Sequence, residues 1–194
     1  MAGFVRDRRS KRVIATLSAL EADLLRSLAA QLVELIHNER AATSTGSDPL
    51  EDLLDFSGPT TEPEDPVLQR LFPSAYHDDE EAAGEFRRYT EGGLRDSKSK
   101  AAESIIDALE EAGLPPDPND PDLVIDVELD EGAALTWMRA MADLRLALGV
   151  RLEVEEDDQD YWDSLPDDDP RAQAHHLFEW LGYLQETLID AVAG

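Results

Sequence analysis

The chain has 194 residues, 42% of them hydrophobic, enough for one core of ordinary size, and its 44 acidic and 17 basic residues leave a net charge of -27. A surface of that sign repels phosphate and argues against nucleic-acid binding by the body of the protein, while no apolar run reaches the roughly 18 residues a membrane-spanning helix needs. There is no cysteine, which removes disulfides and thiol chemistry, and residues 1–12 lack the apolar stretch of a signal peptide, so a cytoplasmic protein is expected.

In chain order, residues 1–12 read as a basic arm, with Arg6, Arg8, Arg9, Lys11 and Arg12 against Asp7 alone. It is the one segment suited to touch DNA. Residues 12–17 alternate as a short strand, with Val13, Ala15 and Leu17 on one side. Ser18 with Glu21 three positions on makes a capping box for a helix to about Arg40, whose stripe is Leu24, Leu25, Leu28, Leu32, Leu35 and Ile36. After a small, polar stretch at 41–47, short helices are predicted over 49–56 and 66–72, each with proline in its first turn, separated by a loop. From Glu80 the pattern is helical again, broken at Gly92 and Gly93, and then continues with Ala102, Ile105, Ile106 and Leu109 on its apolar face. Gly113 and the prolines at 115, 116, 118 and 121 end it in a mobile loop.

Residues 123–129 alternate as a second strand, with Leu123, Ile125, Val127 and Leu129 facing inward. A helix over 130–154 follows, with Asp130 as N-cap and Ala134, Trp137, Met141, Leu144 and Leu148 as its stripe. Beyond an acidic loop at 153–169, a last helix over 170–192 repeats the spacing with Leu177, Leu181, Leu184, Leu188 and Val192. The two stripes are expected to pack together around Trp137, Leu144, Arg145, Leu148, Trp180, Leu181, Leu184 and Glu186. Two strands in a mainly helical chain most economically pair with each other. The reading is a mainly α fold, a single-domain helical bundle over residues 13–194 with a small two-stranded sheet. The two strand-to-helix units match at an offset of 112 residues: Leu17 with Leu129, Ser18 with Asp130, Leu25 with Trp137, Leu32 with Leu144. Either an internal duplication or the generic likeness of two capped amphipathic helices accounts for this.

Few residues suggest chemistry. Arg145, between Leu144 and Leu146, is expected to be partly buried and held by Glu179 or Glu186. The adjacent His175 and His176 point about 100° apart on a helix and cannot readily chelate one metal. The acidic runs lack the glycine and spacing of an EF-hand loop. Tyr161, Trp162 and Leu165 stand inside an acidic run: either Trp162 folds back on the core, or the three form an aromatic anchor for a basic protein surface. With no phosphate-cradling loop, nucleophile elbow or zincin helix, the chain reads as a binding protein without cofactor or metal.

The words VELDEGAALTWMRAMADLRLALGVRLEV and HHLFEWLGYLQETLIDAV, together with DPVLQRLFPSAY and LSALEADLLRSL, resemble a small actinobacterial family of unknown function encoded beside the ClpS adaptor. Part of that family is described as AosR, an oxidative-stress transcriptional regulator. The resemblance covers most of the chain and implies a non-enzymatic regulator. The charge adds that it acts through a basic protein such as a sigma factor or RNA polymerase, the alternatives being an accessory of Clp-dependent proteolysis or DNA contact through the arm. A thiol switch is impossible here, which leaves methionine oxidation, a metal, a redox-sensitive partner or no sensing at all, with the partner favoured.

Overall fold

A computed structural model describes residues 3–43, 59–120, 122–166 and 168–194, with the side chains of 39–43 left aside. The short helix expected over 49–56 lies outside the described residues. Three strands, β1 (Phe4–Arg6), β2 (Val13–Ser18) and β3 (Val124–Leu129), accompany six described helices: α1 (Ala19–Thr43), α2 (Pro66–Leu71), α3 (Glu80–Glu111), α4 (Glu131–Leu152), α5 (Gln159–Asp163) and α6 (Pro170–Ala193). The fold is mainly helical.

The sheet is antiparallel in the order β1-β2-β3, with three strands where two were expected. The extra strand comes from the supposed arm. Phe4 alternates inward with Val13 and Ala15, and its ring meets Trp137 edge-on at 5.9 Å. Burying that ring offsets the entropy of ordering the segment, a contact no local pattern announces.

β2 and β3 pair as expected, and their inward residues Val13, Ala15, Leu17, Ile125, Val127 and Leu129 are all buried. Ala15 faces Val127, its counterpart at the 112-residue offset, so the strand pair sits on a local two-fold axis. Each strand then runs straight into a helix. On α1 the capping box forms, the Ser18 N–H donating to Glu21 Oε2 at 2.9 Å; on α4 the Asp130 carboxylate accepts from the Ala133 N–H at 2.8 Å. The equivalent pairs Ala22 and Ala134, Leu25 and Trp137, and Leu32 and Leu144 are all buried, whereas at the next pair Ile36 is buried and Leu148 only half-buried.

α3 runs unbroken through Gly92 and Gly93, contrary to the interruption expected there. Each glycine costs the helix about 1 kcal/mol, and the interactions that outweigh this are tertiary. Along its buried face Arg87, Glu91 and Arg95 stand at successive i,i+4 positions, the Glu91 carboxylate bridging both guanidiniums, with Arg95 Nε at 2.8 Å. Arg87 also donates to the Phe72 carbonyl at 3.2 Å and Arg95 to the Ile36 carbonyl at 2.9 Å, while Arg95 lies over the Phe72 ring. The network ties α3 to α1 and to the end of α2 across the glycine pair. α3 then closes at Gly113, whose φ of 96° suits a residue without a side chain.

α4 and α6 pack on each other, and Trp137, Met141 and Leu144 of the one and Leu181, Leu184 and Leu188 of the other are buried in a common core. The stripes expected to meet do meet.

Candidate functional site

Four places hold the residues singled out in the sequence. The first is the α4 and α6 seam. Trp137, Leu144, Leu181 and Leu184 are buried there, but Leu148 and Trp180 are only half-buried and Arg145 and Glu186 are exposed. Position 145 lies one helical step of about 100° off the Leu144 line, on the flank of the seam. Its guanidinium rests over the Phe178 ring at 4.8 Å, beside Gly182, where a Cβ would come within 3.2 Å of it. No carboxylate pairs with Arg145 among the described residues, so the expected bridge to Glu179 or Glu186 is replaced by a cation–π contact.

The second is the acidic corner. Trp162, on the one-turn helix α5, is buried and stacks face-on to His175 of α6, ring centroids 4.4 Å apart. Tyr161 packs edge-on to Trp162 at 4.9 Å with its ring exposed, and Leu165 is half-buried. Trp162 therefore folds back as the pin of the loop, and Tyr161 is the aromatic that faces outward. The corner's two cations are already engaged. Arg171 donates to the Tyr161 hydroxyl at 2.6 Å and pairs with Asp169 at 3.3 Å; Arg151 pairs with Asp65 at 2.6 Å. The Glu155 N–H, first, holds the Asp158 carboxyl below its usual range, and the Arg171 N–H and then its guanidinium do the same for Asp169. Glu153, Glu155 and Asp158, with Tyr161 and Arg171, surround an open cavity of about 370 Å³. His176 is exposed while His175 is buried, and the described residues contain no group of three or more His, Cys, Asp or Glu placed to hold a metal ion.

The third is a groove of about 350 Å³ between α1 and α4, lined by Leu28, Leu32, Leu35, Leu144 and Leu148, with Val67 of α2 also in its wall. Arg151 lines both the groove and the corner cavity, so the two are neighbours at that residue.

The fourth is the basic segment, which is a β-hairpin. Its turn is built around Asp7, whose carboxylate accepts from the Arg9 N–H at 3.2 Å and the Ser10 N–H at 2.9 Å while its carbonyl accepts from Lys11. Arg6 does not project outward: it donates to the carbonyls of Ala191 and Val192, at 3.4 and 3.1 Å, completing the C-terminus of α6. Arg8, Arg9, Lys11 and Arg12 remain exposed on the turn, and none makes an ion pair among the described residues. The sequence reading missed both this anchoring and the buried Arg87–Glu91–Arg95 network. The i,i+4 spacing of opposite charges was the available signal for the network.

A family model described as "Domain of unknown function (DUF2017)" matches residues 1–192. The chain belongs to the DUF2017 family. The "Oxidative stress regulator AosR" of Mycobacterium tuberculosis (strain ATCC 25618 / H37Rv) and that of Mycobacterium bovis are each 31% identical to the chain, over 98% of this chain and 86% of the relative. The "Putative oxidative stress regulator AosR" of Mycobacterium leprae is 33% identical over 89% and 78%. No solved structure matches the chain. Several residues of the words that carried the resemblance occupy structural positions in this DUF2017 fold. Trp137 and Leu144 are core, Asp143 pairs with Lys98 of α3 at 2.7 Å, and Gly149 leaves room for Phe178. In DPVLQRLFPSAY, Val67, Leu68, Leu71 and Phe72 are buried.

Proposed function

We propose that this DUF2017 protein is a non-enzymatic regulator of oxidative-stress transcription that works by contact with a basic protein of the transcription machinery, such as a sigma factor or RNA polymerase. Its likeness to named oxidative stress regulators over nearly its whole length supports the biological role. The observation that carries the mode of action is the acidic corner. There the arginines are spent on Asp65 and Asp169, leaving Glu153, Glu155 and Tyr161 exposed on a chain of net charge -27. An excess of one sign with its counter-charges already used steers a partner of the opposite sign. Without cysteine, the oxidant signal reaches the complex through the partner.

The test is affinity capture of RNA polymerase and sigma factors by the tagged protein at about 50 and 500 mM salt, across which the screening length falls about threefold. Retention that drops severalfold at high salt is expected. Capture equal at both salts sinks the steering argument, and capture of neither protein sinks the reading.

The hairpin supports a second reading. Four exposed cations on one ordered turn, none of them ion-paired among the described residues, suit a contact with nucleic-acid phosphates beside the partner. Because β1 is part of the sheet, the test is neutralisation of Arg8, Arg9, Lys11 and Arg12 to serine rather than deletion of the segment. Promoter affinity of the protein–partner complex falls if the turn touches phosphate and stays put if it does not.

A further inference from the structure

The groove between α1 and α4 has no role in the packing already described, and its shape and surroundings point to a particular occupant. Its floor is set by leucines at helical spacing, Leu28, Leu32 and Leu35 on one side and Leu144 and Leu148 on the other, with Ala147 leaving space between them. Leu28, Leu35, Ala147 and Leu148 are half-buried, so the apolar surface is open to solvent. From Leu28 to Asn38 the lining of α1 rises about 15 Å, three helical turns. An extended peptide laid there would press its N–H and C=O groups against leucine, whereas a helix satisfies its own backbone and offers an apolar stripe of matching period.

The charge distribution selects among helices. Arg151, which lines the groove, also lines the corner cavity with Glu153, Glu155 and Asp158, just past the negative end of the α4 dipole. Arg151 itself is neutralised by Asp65. A second copy, with its own charge of -27, is repelled from this face, and so is an anionic lipid surface.

We propose that the α1/α4 groove is the docking site for an amphipathic helix of the partner, with apolar residues seated on Leu28, Leu35 and Leu148 and a cationic end over Glu153, Glu155 and Asp158. This rests on the protein-contact reading above and gives it an address.

The test is fluorescence anisotropy with the full-length protein and three labelled synthetic peptides of about five turns: a Leu/Lys amphipathic helix, a Leu/Glu version, and a scrambled Leu/Lys peptide with no helical stripe. The Leu/Lys helix should bind at least tenfold tighter than either control. Ala147→Phe, which fills the groove without removing core, should weaken it about tenfold, with circular dichroism confirming the fold. Glu153→Gln with Glu155→Gln, both exposed, should weaken it severalfold at about 50 mM salt and little at 500 mM. Equal binding of the scrambled peptide, or Ala147→Phe binding as well as the parent, overturns the proposal. So does sedimentation showing a dimer of the parent that Ala147→Phe dissolves, because the occupant would then be a second copy. Capture of RNA polymerase or a sigma factor separates the two readings. Undiminished capture by Ala147→Phe rejects the groove and keeps protein contact, while no capture alongside the expected peptide results rejects the transcription partner and keeps the groove.

Discussion

The turn between β1 and β2 and the corner around α5 are both charged loops held down by one aromatic ring, Phe4 edge-on to Trp137 at 5.9 Å in the first and Trp162 face-on to His175 at 4.4 Å in the second. In each, the minority charge is consumed internally. Asp7 accepts from backbone N–H groups inside its turn, and Arg151 and Arg171 are paired with Asp65 and Asp169. The majority charge is therefore left facing solvent, positive at one place and negative at the other. What differs is the mounting. The hairpin is tied in by strand pairing, by the Phe4 N–H donating to Thr187 Oγ1 at 3.1 Å and by Arg6 on the last carbonyls of α6. The corner hangs chiefly on ring contacts and on Arg171. Disturbing the hairpin should be felt by the whole fold, and disturbing the corner mainly by the corner.

The strongest test of that contrast is Phe4→Ala. Removing a buried ring from the core should lower the unfolding free energy by about 3–4 kcal/mol, measured by urea denaturation. A loss below about 1 kcal/mol would mean that the hairpin is an appendage after all.

A smaller effect is expected for Trp162→Leu, which keeps apolar bulk and removes the stack on His175, worth about 1 kcal/mol. Limited proteolysis should then cut faster within 153–169 while hydrogen exchange in the α4 and α6 core stays close to that of the parent. Equal protection of the corner in both proteins would show that the stack does not hold it.

The subtlest prediction erases the contrast. The Asp7 carboxyl is held below its ordinary 3.8 by the Ser10 hydroxyl and then by the Ser10 and Arg9 N–H groups, and that of Asp158 chiefly by the Glu155 N–H. A carboxyl whose pKa is lowered on folding contributes stability that is present above its unfolded pKa and lost as pH falls through the folded one. Both loops should hold above about pH 4 and loosen together below it. Amide NMR shifts of Ser10 and Glu155 should then move with the titrations of Asp7 and Asp158. A Ser10 amide that ignores the Asp7 titration would remove the carboxylate from the account of the turn.

Periodicity and capping made most of the helical fold legible in the sequence. Ser18 with Glu21, Asp130 before Ala134, and the leucines at steps of three and four declare themselves within one or two turns, because a helix end needs an acceptor and a helix face needs a period near 3.6. The alternation in 12–17 and 123–129 likewise showed which side of each strand would be buried. Only the tertiary structure decided that residues 4–6 form a third strand, that α3 continues through Gly92 and Gly93, that Arg145 lies over Phe178 rather than beside a glutamate, and that Trp162 finds His175. Each outcome depends on groups far apart in the chain, such as Phe4 with Trp137 and Arg95 with the Ile36 carbonyl. Contacts of that kind leave no period in the sequence, because their free energy arises only once the intervening chain has folded and brought the partners together.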